Sequence, residues 1–118
     1  MNITRSALLL AALTVTASLA GCVNQPQSLY YWDGYQHQVY QRFENTNGAE
    51  EQIAALEESL QKARAADRAL PPGFHAHLGM LYAEVGKADQ VRQQFETEKT
   101  LFPESAQYMD FLMLKFAK

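Results

Sequence analysis

"LPPGFHAHLGMLYAEVGK", residues 70–87, and the segment "ADQVRQQFETEKTLFP" that follows it, residues 88–103, decide the fold. In the first, Phe74, Leu78, Leu81, Tyr82 and Val85 recur at steps of three and four, which makes one apolar stripe on a helix. Pro72 suits a helix start, where its missing N–H costs nothing. Gly86 suits the left-handed residue that ends a helix. In the second segment Val91, Phe95 and Phe102 share a face, with Leu101 beside them, and Pro103 stops the run. The spacing therefore predicts two helices, 72–85 and 88–102, joined by the tight turn VGK at 85–87.

This helix–turn–helix resembles a tetratricopeptide repeat over residues 72–105. With Pro103 on the repeat's terminal proline, Phe95 falls on its phenylalanine and Gly86 on its turn glycine. Tyr82 falls on its tyrosine, and Leu78 and Gly79 on its Leu-Gly pair. The chain departs from the pattern at His75, where the family prefers tryptophan, and at Val91 and Glu98, where it prefers alanine. The physics fits the resemblance: Gly79 lets two helices approach closely, while Tyr82 and Phe95 fill the space between them. In such repeats the first helix lines a concave groove. The resemblance places Gly73, Ala76, His77, Met80, Ala83 and Glu84 there, as candidates for contact with a partner or with another helix of this chain.

Upstream, "AEEQIAALEESLQKARAADRA", residues 49–69, carries Ile53, Leu56, Leu60 and Ala63 on one stripe. Glu57, Glu58, Lys62 and Arg64 fall off it and read as a solvated face. Asn47, with Glu50 three residues on, is a variant capping box. Further upstream, Trp32, Tyr35, Val39 and Phe43 follow steps of three, four and four and predict the buried stripe of a short first helix. With 49–69 it would form a degenerate first hairpin. The aromatic cluster Tyr30, Tyr31, Trp32, Tyr35 and Tyr40 has two further readings, a membrane-interface belt and a ligand or glycan platform. Downstream, "SAQYMDFLMLKFAK" predicts a helix that caps the stack. Its run of Phe111, Leu112, Met113 and Leu114 covers more than one face, whereas a terminal cap normally keeps its outer face polar. Met113 and Leu114 are therefore candidate partner contacts. The expected fold is all-α: about two tetratricopeptide-like hairpins and a C-terminal capping helix, occupying residues 29–118.

The chain opens with one basic residue, Arg5, followed by an apolar run from Ala7 to Leu19. That run is short for a span, which needs ~20 apolar residues, and fits a signal peptide over 1–21. It ends Leu19-Ala20-Gly21-Cys22, which resembles the bacterial lipobox. The resemblance implies cleavage between Gly21 and Cys22 and acylation of Cys22, and it accounts for a lone cysteine in an exported chain. Val23 rather than Asp after the cysteine implies, by the sorting rule of enteric lipoproteins, the outer membrane, and a protein facing the periplasm is the leading expectation. Buried acyl chains contribute ~0.8 kcal/mol per CH2, enough for anchoring without a spanning segment. Residues 22–28 then form the acylated cysteine and a polar tether.

From Cys22 on there are nine basic and thirteen acidic residues, a net charge of −4. Such a balance does not read as a nucleic-acid binder. No glycine-rich phosphate loop, nucleophile elbow or metal-type Cys/His spacing occurs. His75 and His77 are two apart, so on a helix they point to different sides, and a helical zinc pair wants i, i+4 spacing. No cofactor, metal or catalytic residue is expected.

The mature chain also resembles a family of short uncharacterised Gram-negative lipoproteins, through "LYYWDGYQHQVY" at 29–40, the 70–87 stretch, and "FETEKTLFPESAQYMDFLM" at 95–113. That resemblance implies companionship with a curli-secretion-channel-like (CsgG-like) lipoprotein in an envelope assembly. The leading expectation is a lipid-anchored, non-catalytic adaptor. A self-associating structural lipoprotein and a peptidoglycan or glycan binder using the aromatic cluster are the alternatives.

Overall fold

Left-handed residues set where the central helices stop. The computed structural model describes residues 27–116, together with Ile3. The signal peptide, Gly21 and Cys22, and all but the end of the tether lie outside the described residues. Among those described the fold is all-helical: α1 Tyr35–Glu44, α2 Ala49–Ala65, α3 Phe74–Glu84, α4 Ala88–Leu101, a short 3-10 turn Pro103–Ser105, and α5 Ala106–Phe116.

Helix α2 buries the expected stripe of Ile53, Leu56, Leu60 and Ala63. It ends four residues earlier than its sequence suggests, because Asp67 adopts a left-handed conformation at φ 50°. Asp67 N–H then donates to Arg64 O at 3.1 Å and Arg68 N–H to Ala63 O at 3.0 Å, which satisfies the last carbonyls. At its other end the expected Asn47 cap is not formed. Gly48 occupies the N-cap without a side-chain bond. Asn47 instead donates to Gln41 Oε1 at 2.9 Å, and its carbonyl accepts from Gln52 Nε2 at 2.8 Å. Asn47 is thus spent tying α1 to the start of α2. Glu50 and Glu51 in the first turn and Lys62 and Arg64 in the last complement the helix dipole.

Helix α3 buries Phe74, Leu78, Leu81 and Tyr82 as predicted, with Val85 half-buried. It closes on Gly86 at φ +73°, with Lys87 N–H on Tyr82 O at 3.0 Å and Gly86 N–H on Ala83 O at 3.2 Å. Pro72 stands one residue outside the N-cap, Gly73, rather than inside the first turn. Helix α4 returns antiparallel to α3, since Glu98 near its end meets the first turn of α3. The two helices touch at Gly79. A Cβ there would lie 2.5 Å from Phe95 Cε1 and 2.7 Å from its Cδ1, closer than carbon atoms tolerate. Val91 and Phe95 are fully buried and Phe102 is half-buried, while Leu101 is exposed.

Helix α5 lays Met109 and Leu112 into the same core and is tied to α4 by Lys99 Nζ on Asp110 Oδ1 at 2.5 Å. Helix α1 departs most from expectation. It begins at Tyr35, after Gly34 in a left-handed turn at φ +76°, so Trp32 precedes it. The inward positions are Tyr35, Gln38 and Val39, and Phe43 is 85% exposed. The stripe that starts at Tyr35 runs through 38, 39 and 42. Phe43 lies a quarter turn off it, which is why its apolar character does not bring it inside.

Candidate functional site

Three surfaces of the described residues bear on function: the groove face of α3, the outer face of α5, and the strap of chain that enters the domain. The groove residues Gly73, Ala76, His77, Met80 and Ala83 do fall together on α3, half-buried, and Glu84 is exposed beside them. Helix α1 lies over part of that face. The Tyr35 ring sits 5.2 Å from Phe74 and 6.0 Å from His77. At the far end Arg42 of α1 pairs with Glu84. Ala76, Met80 and Ala83 pack against the core from its edge.

The two histidines of the HAH stretch part company, as helical geometry requires. His75 is buried and its Nδ1 lies 2.7 Å from Gln94 Oε1 on α4. His77 faces α1, with Nε2 buried and unpartnered. Burial pushes its pKa down from the ordinary 6.5 to about 4, the Arg42 guanidinium pushes the same way, and Glu84 opposes them. The neutral imidazole is therefore the native form at neutral pH. Among the described residues no group of three or more His, Cys, Asp or Glu converges as a metal site.

Two polar residues that apolar periodicity alone does not single out hold this part of the molecule. Glu98 is 2% exposed on α4. Its Oε1 accepts the Gly73 N–H at 2.6 Å and its Oε2 the Ala76 N–H at 3.3 Å. A carboxylate from one helix thus caps the first turn of another, where free N–H groups and the dipole both favour a negative charge. The signal was present: Glu98 continues the inward series Val91, Gln94, Phe95 at helical steps. The second is Arg68, whose Nη2 donates to Ser28 O and to Tyr30 O, the latter at 2.9 Å. With Tyr31 N–H on Ala69 O at 2.7 Å, it pins the entering strap to the α2–α3 loop.

Helix α5 has two apolar faces. Met109 and Leu112 are buried, and Met113 and Phe116 are half-buried against the core. Tyr108, Phe111 and Leu114 are 60, 57 and 76% exposed. They recur every three residues, and the Tyr108 and Phe111 rings stack with centroids 6.4 Å apart. The structure thus separates the two candidates on this helix, since Met113 belongs to the core edge and Leu114 to the outer face. Elsewhere, hollows of about 610 and 550 Å³ meet around Glu57, Tyr82 and Gln90. There the Tyr82 hydroxyl donates to the Glu57 carboxylate. Burial, then that bond, pushes the Tyr82 pKa up to about 12. A smaller cleft of about 330 Å³, mostly apolar, lies under the strap between Tyr30, Leu70, His75 and Phe102.

Among the described residues no helix is long and apolar enough to cross a membrane. No curated protein and no solved structure matches the chain. Residues 29–112 match the family described as "Domain of unknown function (DUF4810)", a span running from the strap into the last helix. The chain belongs to the DUF4810 family.

Proposed function

We propose that this protein is a lipid-anchored envelope protein that acts as a non-catalytic adaptor and grips a protein partner with the outer face of α5. The observation that carries the reading is the exposed row of Tyr108, Phe111 and Leu114, on a helix whose opposite face already fills the core. A terminal helix without a partner is expected to turn polar residues outward. Single exposed apolar residues are ordinary, but a row of them at helical spacing marks a binding face. The α3 groove is a lesser candidate, because α1 already occupies part of it.

The anchor rests on the lipobox resemblance at Leu19–Cys22, and outer-membrane sorting on Val23. A tetratricopeptide-like reading of α3 and α4 is supported by Gly79 against Phe95 and by the Gly86 turn. A CsgG-like lipoprotein as the partner is supported by the resemblance of residues 29–40, 70–87 and 95–113 alone. Self-association is the second reading, since the same α5 row suits a second copy of the chain.

The test is crosslinking in living cells followed by affinity purification and size measurement, with wild type beside Phe111→Ser/Leu114→Ser. The adaptor reading expects one envelope protein held in fixed ratio and lost in the variant. Recovery of only the chain itself, as a dimer dissolved by the same variant, establishes self-association. An unchanged complex in the variant removes the α5 face from consideration.

A further inference from the structure

The strap that enters the domain is short, and its end is fixed. Ser28 follows Cys22 by six positions. At ~3.5 Å per residue, Cys22 lies within about 20 Å of Ser28 whatever path the chain takes. Arg68 and Ala69 hold Ser28, Tyr30 and Tyr31 against the α2–α3 loop. An anchor at Cys22 therefore keeps the strap within about 20 Å of the bilayer, close enough for the face around it to reach the lipid.

The side chains on that face suit an interface. Leu29 is 79% exposed, Trp32 39% and Leu101 52%. Trp32 and Leu101 are linked through the rings of Tyr30 and Phe102: Tyr30 lies 6.4 Å from Trp32 and 6.2 Å from Phe102, both edge-on. Arg64 and Arg68 border the same cleft as Tyr30 and Leu101. Aromatic rings, exposed leucines and guanidinium groups together match the chemistry of a phospholipid surface carrying negative headgroups. Asp33 accepts the Tyr31 hydroxyl at 3.1 Å and Asp67 precedes Arg68 in the loop, so the attraction for negative headgroups rests on the two guanidinium groups at the cleft and is tempered by these acids.

We infer that this face lies directly on the bilayer, with Trp32 and Leu101 at headgroup depth, so that the domain sits on the membrane in one orientation instead of swinging on its tether. The inference rests on Cys22 being the lipid anchor. A tethered surface needs little affinity of its own, because the anchor makes its contact with lipid intramolecular.

Trp32 is the single tryptophan of the chain and reports on its own depth. The full chain is purified from membranes and reconstituted into vesicles of phosphatidylethanolamine and phosphatidylglycerol, some with lipids brominated near the headgroup and some brominated deep in the acyl chains. The expected result is a blue shift of Trp32 emission, stronger quenching by shallow than by deep bromines, and loss of quenching by aqueous acrylamide. Leu101→Glu, an exposed change that leaves the helical spectrum intact, is expected to reverse all three. Arg64→Gln is expected to weaken them without abolishing them. A chain that floats with the vesicles while Trp32 stays open to acrylamide overturns the inference and leaves the anchor standing. A chain that does not float at all overturns both.

Discussion

Gly79 and Glu98 each constrain the α3–α4 pair through single atoms, and His77 does the same where α3 meets α1. A methyl group at position 79 meets the Phe95 ring at 2.5 Å, so Gly79→Ala forces α4 away or the ring off its rotamer. Overpacking of this kind costs about 1–3 kcal/mol, enough to offset alanine's better helix propensity, and urea unfolding would read it directly. Glu98→Gln loses the charge and one of two acceptors, while Glu98→Ala orphans both the Gly73 and Ala76 N–H groups. The alanine variant is expected to cost about 1–3 kcal/mol and the glutamine variant less. The pH prediction follows from His77. Its folded pKa of about 4 lies below the ordinary 6.5, so between those values the unfolded chain binds more protons than the folded one. This contribution to stability is complete above pH 6.5, is lost as pH falls toward 4, and changes no further below that. Urea midpoints of wild type measured from pH 7 to pH 4 should fall more steeply than those of His77→Gln.

At the scale of elements, one face of α5 folds the domain and the other is the proposed binding surface. Phe111→Ser/Leu114→Ser alters exposed side chains, and surface changes ordinarily stay within about 0.5 kcal/mol of wild type each. Leu112→Ser empties a buried position and is expected to cost about 2–5 kcal/mol. Thermal melts of the two variants should therefore differ sharply, with only the first retaining the wild-type transition. The legibility of the elements followed the same division between packing and local chemistry. Helices α3 and α4 are plain in the sequence because Gly86 and Pro103 punctuate them and large apolar residues recur on their inward faces, although His75, Gln94 and Glu98 are buried there too. Helix α1 is hard to read from the sequence because Gln38 on its inward face is polar, Arg42 on the same stripe is half-buried against Glu84, and Phe43 faces out. The end of α2 was invisible because an aspartate rather than a glycine takes the left-handed position. The α5 row was legible only as an excess of apolar residues, and the core was needed to show which of them remain outside.

Among the described residues there is one small core to which α1 through α5 all contribute, with α5 as its last cover. A chain of ~100 residues buries only roughly 60–65% of its unfolded surface, so little stability is held in reserve. Truncation after Phe102 removes Met109 and Leu112 from that core and takes Asp110 from Lys99. The truncated chain is expected to lose its cooperative thermal transition while retaining some helical circular dichroism. The proposed anchor at Cys22 lies outside the described residues, and the strap held by Arg68 and Ala69 is where the chain leading from it enters the scaffold.

The carboxylate of Glu98 has a consequence for motion. The amide protons of Gly73 and Ala76 belong to the first turn of a helix, where fraying normally exposes them to exchange with solvent. Here their acceptor is carried by a different helix, so they are released only when α4 swings away. Their exchange rates should therefore report the opening of the α3–α4 hairpin as a unit. Two amides at a helix end would then be among the slowest in the chain.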